Sequence, residues 1–441
     1  MRKVMKNNAS LKLSHLLKEE MSKNLLPLFY DSFISVGIDE NPDKKFRDRV
    51  FNQADTFLTM IGTSIQADKS LQNSVNIFSM IHDENIKRIT AIEQSSIAAE
   101  LANPKRGAGR PRKNFTSVPK SKLKSISSNT SAFAQARDRL SIAFTENVFK
   151  HSCKPTITDN SQMFFGRPVY MTDGTYLQMQ DTDKIKEVYR PAKDGGYPRA
   201  LLSLVVKQGC GLISNFRLGS DCKSELEYFA EMIFELEKGS LLLADDLYNC
   251  FAIFILLKQK NVDIIVPGKR NRNYEVVKIL GKGDEIVKIN LKNDDSKIAK
   301  LYDIKEKSVL LRRIEYKTPN TTDGISVLYT SILDEKISKE DIILKYITRW
   351  DIEINIREIK TIFGLNIMRS KTPEMALKEL LAGLIAYNYI RNYISEIAFK
   401  SDFSPERDIY EKFYTSDKPV FTDKLGRVYN KLSTGRPKKT E

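Results

Sequence analysis

The sequence predicts an α/β chain of the α+β kind: a mixed sheet flanked by helices, with a β-rich insertion and an all-helical N-terminal domain. Three observations predict it. Apolar residues recur every three or four positions through the first hundred residues, then every second position from about residue 165. Leu241-Leu-Leu-Ala244 is apolar without alternation, as a strand buried on both faces is. Between the two regimes, residues 101–130 carry eight basic residues and no acid, amid Ser, Pro and Gly.

Size and charge set the frame. A chain of 441 residues exceeds one compact domain, so two or three are expected. Lys and Arg (71) outnumber Asp and Glu (56), a surplus of 15 with pI near 9.3, which points to a polyanionic partner, nucleic acid first. A membrane surface is the weaker candidate, because no run of about 18 uncharged apolar residues occurs. Met1 to Glu20 is broken by charges and does not read as a signal peptide, so a cytoplasmic, nucleoid-associated protein is expected. Cys153, Cys210, Cys222 and Cys250 are scattered, as are His15, His82 and His151. That spacing excludes a zinc site and leaves oxygen ligands, which favour magnesium or manganese.

Residues 1–100 read as a helical bundle, through Phe46, Val50, Ala54, Phe57 and Leu58, then Leu71, Val75, Phe78 and Ile81. A mobile linker follows at 101–130, with Lys105, Arg106, Arg110, Arg112, Lys113, Lys120, Lys122 and Lys124. Within it Arg106-Gly-Ala-Gly-Arg-Pro-Arg-Lys113 resembles an AT-hook, and Gly435-Arg436-Pro-Lys438-Lys439 repeats the core at the other end of the chain. Extended, arginine-rich segments of this kind suit the negative potential of a narrow A·T minor groove. A helix begins at Ser131 and opens a segment, 131–266, that holds most of the sheet.

Val169 to Asp173 reads as a strand, Asp173-Gly174-Thr175 as a turn, and Tyr176 to Met179 as the next strand. Strands Leu201–Val206 and Leu212–Leu218, helix Glu225–Lys238, strand Leu241–Ala244, helix Cys250–Lys260 and strand Val262–Val266 come next. A meander followed by helix–strand–helix–strand is the order of an RNase H-like sheet, which sets the ends of its first and fourth strands side by side. Residues 267–340 interrupt that order with strands Ile286–Leu291, Ser308–Tyr316 and Ile325–Ile332. Segment 341–400 completes the domain with a charged helix and the apolar helix Met375–Phe399, and 401–441 is a polar, basic tail.

The charged helix spans Tyr346 to Lys360. Wound at about 100° per residue, Tyr346, Arg349, Glu353, Arg357 and Lys360 fall within roughly an 80° arc. Ile352, Ile356, Ile359 and Phe363 form the apolar stripe beside it. As an isolated helix this is an amphipathic surface with ordinary i,i+4 ion pairs. Tyr-x2-Arg-x3-Glu-x6-Lys, however, resembles the Y–R–E–K signature of the DDE insertion-sequence transposases, the family called IS four. Asp173 in its Asp-Gly-Thr context resembles that family's first acidic block, and Asp245-Asp-Leu-Tyr248 its second. Tyr387-Asn388-x2-Arg391 resembles a further element.

The resemblance implies an RNase H-like catalytic domain in which Asp173, Asp245 and Glu353 hold two Mg²⁺ ions, with Mn²⁺ as a substitute. One ion would activate a water or 3′-hydroxyl and the other steady the leaving oxygen. The second block departs from the family at Asp246 and Leu247; Asp245 is preferred as ligand because Asp246 points to the other side of the strand end, and Asp246 stands as the alternative. Tyr346, Arg349, Arg357 and Lys360 would contact DNA near the cut. The implied activity is cut-and-paste excision and strand transfer of an element, on its terminal inverted repeats and target DNA, by a homodimer in a synaptic complex. Excision through a hairpin is implied as well; with Trp350 outside the insertion, Tyr274 beside Lys269, Arg270 and Arg272 is the expected base-stacking ring. The competing readings are a metal-dependent endonuclease without strand transfer and a catalytically dead DNA-binding repressor.

Overall fold

The computed structural model describes residues 51–79, 129–156, 163–191, 195–268, 272–290, 297–317, 325–400 (side chains to 395), 421–422 and 428–429. The described residues divide into two compact units. One holds those up to Ser152 with Gln180–Ile185 and Ile359–Tyr389; the other holds Cys153–Met179, Lys186–Glu358 and those from Ile390 on. The basic segments with Arg106, Arg110, Arg112, Lys113, Arg436 and Lys438 lie outside the described residues, as do Lys269 and Arg270.

In the first unit, helix Gln53–Ile65 starts where the Asn52 side chain accepts from the Asp55 amide at 2.7 Å. Its inward face carries Phe57 and Ile61, both fully buried, and Phe78 and Phe133 are buried as well. Phe51 packs on Phe78 and Phe133 with ring centroids 4.2 and 5.7 Å away. Lys378 is wholly buried, yet its ammonium donates to the Arg137 and Asp138 carbonyls at 3.2 and 3.1 Å and pairs with Glu374 at 2.7 Å. A cation on the last carbonyls of helix Thr130–Arg139 meets the negative end of its dipole.

The second unit is built on one sheet. Strands β1 (Val169–Gln178), β2 (Arg199–Lys207) and β3 (Leu212–Gly219) form an antiparallel meander. Helix Glu225–Ile233 leads to β4 (Leu241–Leu243), and helix Phe251–Lys260 leads to β5 (Asp263–Gly268); β4 lies parallel to both β1 and β5. The order β3-β2-β1-β4-β5 is the RNase H-like order that the element sequence predicts. Leu241, Leu242 and Leu243 are fully buried, in keeping with their lack of alternation.

Two expectations need correction. β1 runs unbroken from Val169 to Gln178, without a turn at Asp173-Gly174-Thr175, because those residues pair in register with Leu204, Ser203 and Leu202 of β2. Partner strands on a half-buried surface outweigh the turn preference of Asp-Gly. The signature segment is not one helix either. Helix Lys339–Ile347 passes through a 3₁₀ turn, Thr348–Trp350, into helix Asp351–Thr361. Gln208 accounts for the break: its side chain accepts from the buried Lys345 ammonium at 3.0 Å and donates to the Thr348 hydroxyl, while its own amide holds the Val169 carbonyl at 2.9 Å.

The insertion joins that sheet edge on. β6 (Glu275–Gly281), β7 (Asp284–Asn290), β8 (Ser308–Lys317) and β9 (Ile325–Thr330) form an antiparallel series, and β9 pairs with β5. The result is nine strands ending at β6. Register shifts at Val276/Lys278 and Ile279/Gly281 kink that edge, a common guard against edge-to-edge pairing. Helix Pro373–Lys400 matches the expected apolar helix and starts with proline, whose fixed φ suits a first helical turn. Among the described residues, no helix is long and apolar enough to cross a membrane.

Candidate active site

β4 is short, and its shortness makes the site. Its last row against β1 is Met171 with Leu243. Continuing that parallel register by two residues sets Asp173 abreast of Asp245, at the step where β1 runs on and β4 stops. The Gly174 amide donates to Asp173 Oδ1 at 2.8 Å. Asp245 Oδ1 accepts from the Leu247 amide at 3.0 Å and so caps the 3₁₀ turn Asp246–Tyr248. The ordinary duty of an aspartate at a strand end is met here by a residue that also faces the site. Asp246 beside it is exposed, whereas Asp245 is half-buried.

Arg349 ties the acids together. Its guanidinium approaches Glu353 Oε1 at 3.6 Å, its side chain is 12% exposed, and it lies 5.3 Å from the Trp350 ring centre. It lowers the proton affinity of Asp173, Asp245 and Glu353 alike, so all three carboxylates share its field. One arginine does not suffice. Burial, then the charges of Glu225 and Asp245, push the Asp173 carboxyl up to about 7. Burial raises Asp245 too, against the Leu247 amide and Arg349, and burial raises Glu353, with Asp245 adding to it. Acids held above their usual range by desolvation and by one another mark negative charge in want of a cation.

Carboxylate oxygens are the donors that hard divalent ions take, and the charge deficit has the right sign. The residues therefore fit such ions in chemistry and in field. Among the described residues no three His, Cys, Asp or Glu side chains are arranged to hold one ion together. Glu353 is 49% exposed and pairs with Arg349.

The other signature residues are placed differently from one another. Tyr346 is buried, its phenol raised by that burial and opposed chiefly by Arg349. Arg357 is exposed and Lys360 half-buried. Tyr274 packs against the core of the insertion with the Arg313 guanidinium 5.0 Å from its ring centre, so a cation already covers one face. The Tyr387-Asn388-x2-Arg391 element fastens structure. Tyr387 meets Phe363 edge-on at 5.6 Å and Asn388 donates to the Ser152 hydroxyl at 3.2 Å. Arg391 donates to the Cys210 carbonyl at 3.2 Å.

Sequence reasoning missed Glu225, whose carboxylate accepts from the Tyr248 hydroxyl at 2.6 Å and acts on Asp173. The sequence already starts a helix at Glu225, where the Ser224–Glu227 capping box lies, but no local signal ties that acid to Asp173.

The sequence family described as Transposase DDE domain matches residues 164–389, just over half of the chain. The chain is similar to Transposase InsG for insertion sequence element IS4 of Escherichia coli (strain K12), with 24% identity over 319 residues, 69% of this chain and 67% of that one. Among solved structures it is similar to the piggyBac transposase synaptic complex with hairpin DNA, at TM-score 0.33 and 10% identity, over 66% of this chain. It spans 65% of that structure's chain, slightly under two thirds. The match over 164–389 leads to one conclusion: the chain belongs to the DDE transposase family.

Proposed function

We propose that the chain excises an insertion element and joins it to target DNA by two-metal phosphoryl transfer, with Asp173, Asp245 and Glu353 as the metal-binding carboxylates. As a DDE transposase it is a DNA-acting enzyme of a family that uses divalent metal. Mg²⁺ is the proposed ion, with Mn²⁺ able to replace it. Bound there, the two ions would activate the attacking hydroxyl and steady the leaving oxygen of an in-line displacement. The observation that carries the reading is the clustering: Asp173 feels the charge of Asp245, Glu353 feels Asp245 as well, and Arg349 acts on all three.

The chain's own groups then divide the work. Glu353, on the half-exposed face of its helix, would supply the third carboxylate, and Arg349 beside it would offer its guanidinium to a phosphate. Arg357 and Lys360 neutralise backbone phosphates further along. Arg106, Arg110, Arg112, Lys113, Arg436 and Lys438 add sequence-tolerant affinity that leans to A·T. The working form is a homodimer bridging two element ends, acting on the DNA of the cytoplasm.

Incubating the purified chain with Mg²⁺ and DNA carrying its element's ends should give cleaved and joined products. Asp245→Asn should lower cleavage by more than about 100-fold, beyond the usual cost of losing an outer-shell partner, while end binding persists. If Asp246→Asn is the dead variant instead, the ligand assignment shifts by one residue. Cleavage without joining would favour the endonuclease reading. A double-length hairpin band that disappears in Tyr274→Ala would support base stacking on that ring. Deleting 105–113 and 435–439 together should flatten the salt dependence of binding, since fewer counterions are released; an unchanged slope would refute that role.

A further inference from the structure

Two motif residues lack a role in the triad chemistry: the glycine after Asp173 and the tyrosine three residues after Asp245. Both converge on Glu225. This residue stands in the first turn of helix Glu225–Ile233, whose start is locked by the reciprocal Ser224–Glu227 capping box. The Tyr248 hydroxyl donates to Glu225 Oε1 at 2.6 Å, and the Thr172 hydroxyl stands 3.4 Å from that phenol oxygen. Tyr248 is fully buried with its ring edge-on to Phe229 at 5.1 Å, so the donor is held in one place. On the other side, the Glu225 carboxylate lies against Gly174, whose amide donates to Asp173 Oδ1 at 2.8 Å. A Cβ at position 174 would run into that carboxylate. Two acids thus flank Gly174, where β1 runs on past the end of β4.

A structural role would explain part of this, since a buried tyrosine hydroxyl needs an acceptor. It does not explain a carboxylate. A glutamine would accept the same hydrogen bond without setting a further negative charge beside Asp173, and like charges in a half-buried site oppose folding. A cation shared among the acids reverses that cost.

We propose that Glu225 is a fourth metal-binding carboxylate of the site, held by Tyr248 and admitted beside Asp173 by Gly174. The proposal rests on the reading of this site as a divalent-metal centre. It assigns a physical reason to Asp-Gly in the first block, where only glycine leaves space for the carboxylate. It also gives Asp-x-x-Tyr in the second block a purpose, because its phenol aims the fourth acid.

The test is an Mn²⁺ titration of the full chain, free and bound to element-end DNA, read by calorimetry and by the electron paramagnetic resonance of unbound Mn²⁺. Glu225→Gln keeps an acceptor for Tyr248 and should melt like the parent. It should weaken Mn²⁺ binding at least about tenfold or lose one ion, as removal of a group that ligates or orients a metal does. Tyr248→Phe should fall between the parent and Glu225→Gln, and Glu225→Asp should recover part of the affinity. If Glu225→Gln binds Mn²⁺ as the parent does while Asp245→Asn does not, the metal centre stands and the fourth ligand is refuted. If Asp245→Asn also binds like the parent, or the parent binds no Mn²⁺ in either form, the metal-centre reading fails and takes this proposal with it.

Discussion

The sheet buries charge in two places, and in opposite ways. On the insertion side, Arg312 of β8 is 2% exposed and Asp284 of β7 is 6% exposed. They meet in a fork, Nε to Oδ1 at 2.7 Å and Nη2 to Oδ2 at 2.6 Å, and Nη1 takes the Ile337 and Asp334 carbonyls at 2.8 and 3.2 Å. Opposite charges match and the donors are used. At the β1/β4 step, Arg349 acts on Asp173, Asp245 and Glu353, Glu225 stands beside Asp173, and every one of the four acids is held above its usual range, by burial first. A closed, neutral pair holds two strands and the following loop together. A cluster short of positive charge has no such internal match.

Breaking the closed pair should have the largest effect on stability. Asp284→Ala leaves Arg312 buried without its carboxylate and should cost about 3–5 kcal/mol in denaturant unfolding. Replacing both partners with apolar residues, as in Asp284→Leu with Arg312→Met, should recover most of that loss; if it does not, the pair does more than satisfy itself. The open cluster predicts the reverse sign. Asp173 titrates near 7 in the fold, so the folded chain holds more protons than the unfolded one between the ordinary carboxylate range and that value. Its contribution to stability is complete below the ordinary range and is lost as pH rises through about 7.

Without metal, the chain should therefore be less stable at about pH 8 than at about pH 5, and Asp173→Asn should remove on the order of 1 kcal/mol of that difference. Thermal melts in chelator at both pH values measure it. Added Mn²⁺ should raise the parent's melting temperature at the higher pH and leave Asp173→Asn nearly unmoved. A parent more stable at the higher pH would remove the contrast between the clusters. The smallest effect belongs to a third kind of charge. Lys278 and Glu335 pair at 2.5 Å with side chains 53% and 52% exposed, and a double-mutant cycle should find less than about 1 kcal/mol there, vanishing in high salt.

Much of this was legible along the chain. The order of elements around Asp173 and Asp245 is set by hydrophobic period and by the unalternating run Leu241–Leu243, both local properties, and the order β3-β2-β1-β4-β5 follows them. Strand alternation alone led to the preference for Asp245 over Asp246; Asp245 is half-buried and Asp246 exposed. The places where reading along the chain failed were those decided by partners far away. Asp-Gly-Thr looks like a turn until β2 supplies neighbours for each residue. A helix wheel drawn through Tyr346 to Lys360 is smooth until Gln208, 140 positions before Thr348, seizes that hydroxyl and bends the path.

By itself, then, the sequence determined the fold class and the basic character of the chain and nominated the three acids of the signature, because period, spacing and charge are written in neighbouring residues. Only the tertiary structure decided that the insertion extends the same sheet, that Arg349 is the shared counter-charge, and that Glu225 stands beside Asp173. Each depends on groups distant in sequence that close packing brings together. Glu225 is the clearest case. Nothing in its own neighbourhood distinguishes it from any acid in a first helical turn, and its meaning comes from a tyrosine 23 positions later and from the absence of a Cβ at Gly174.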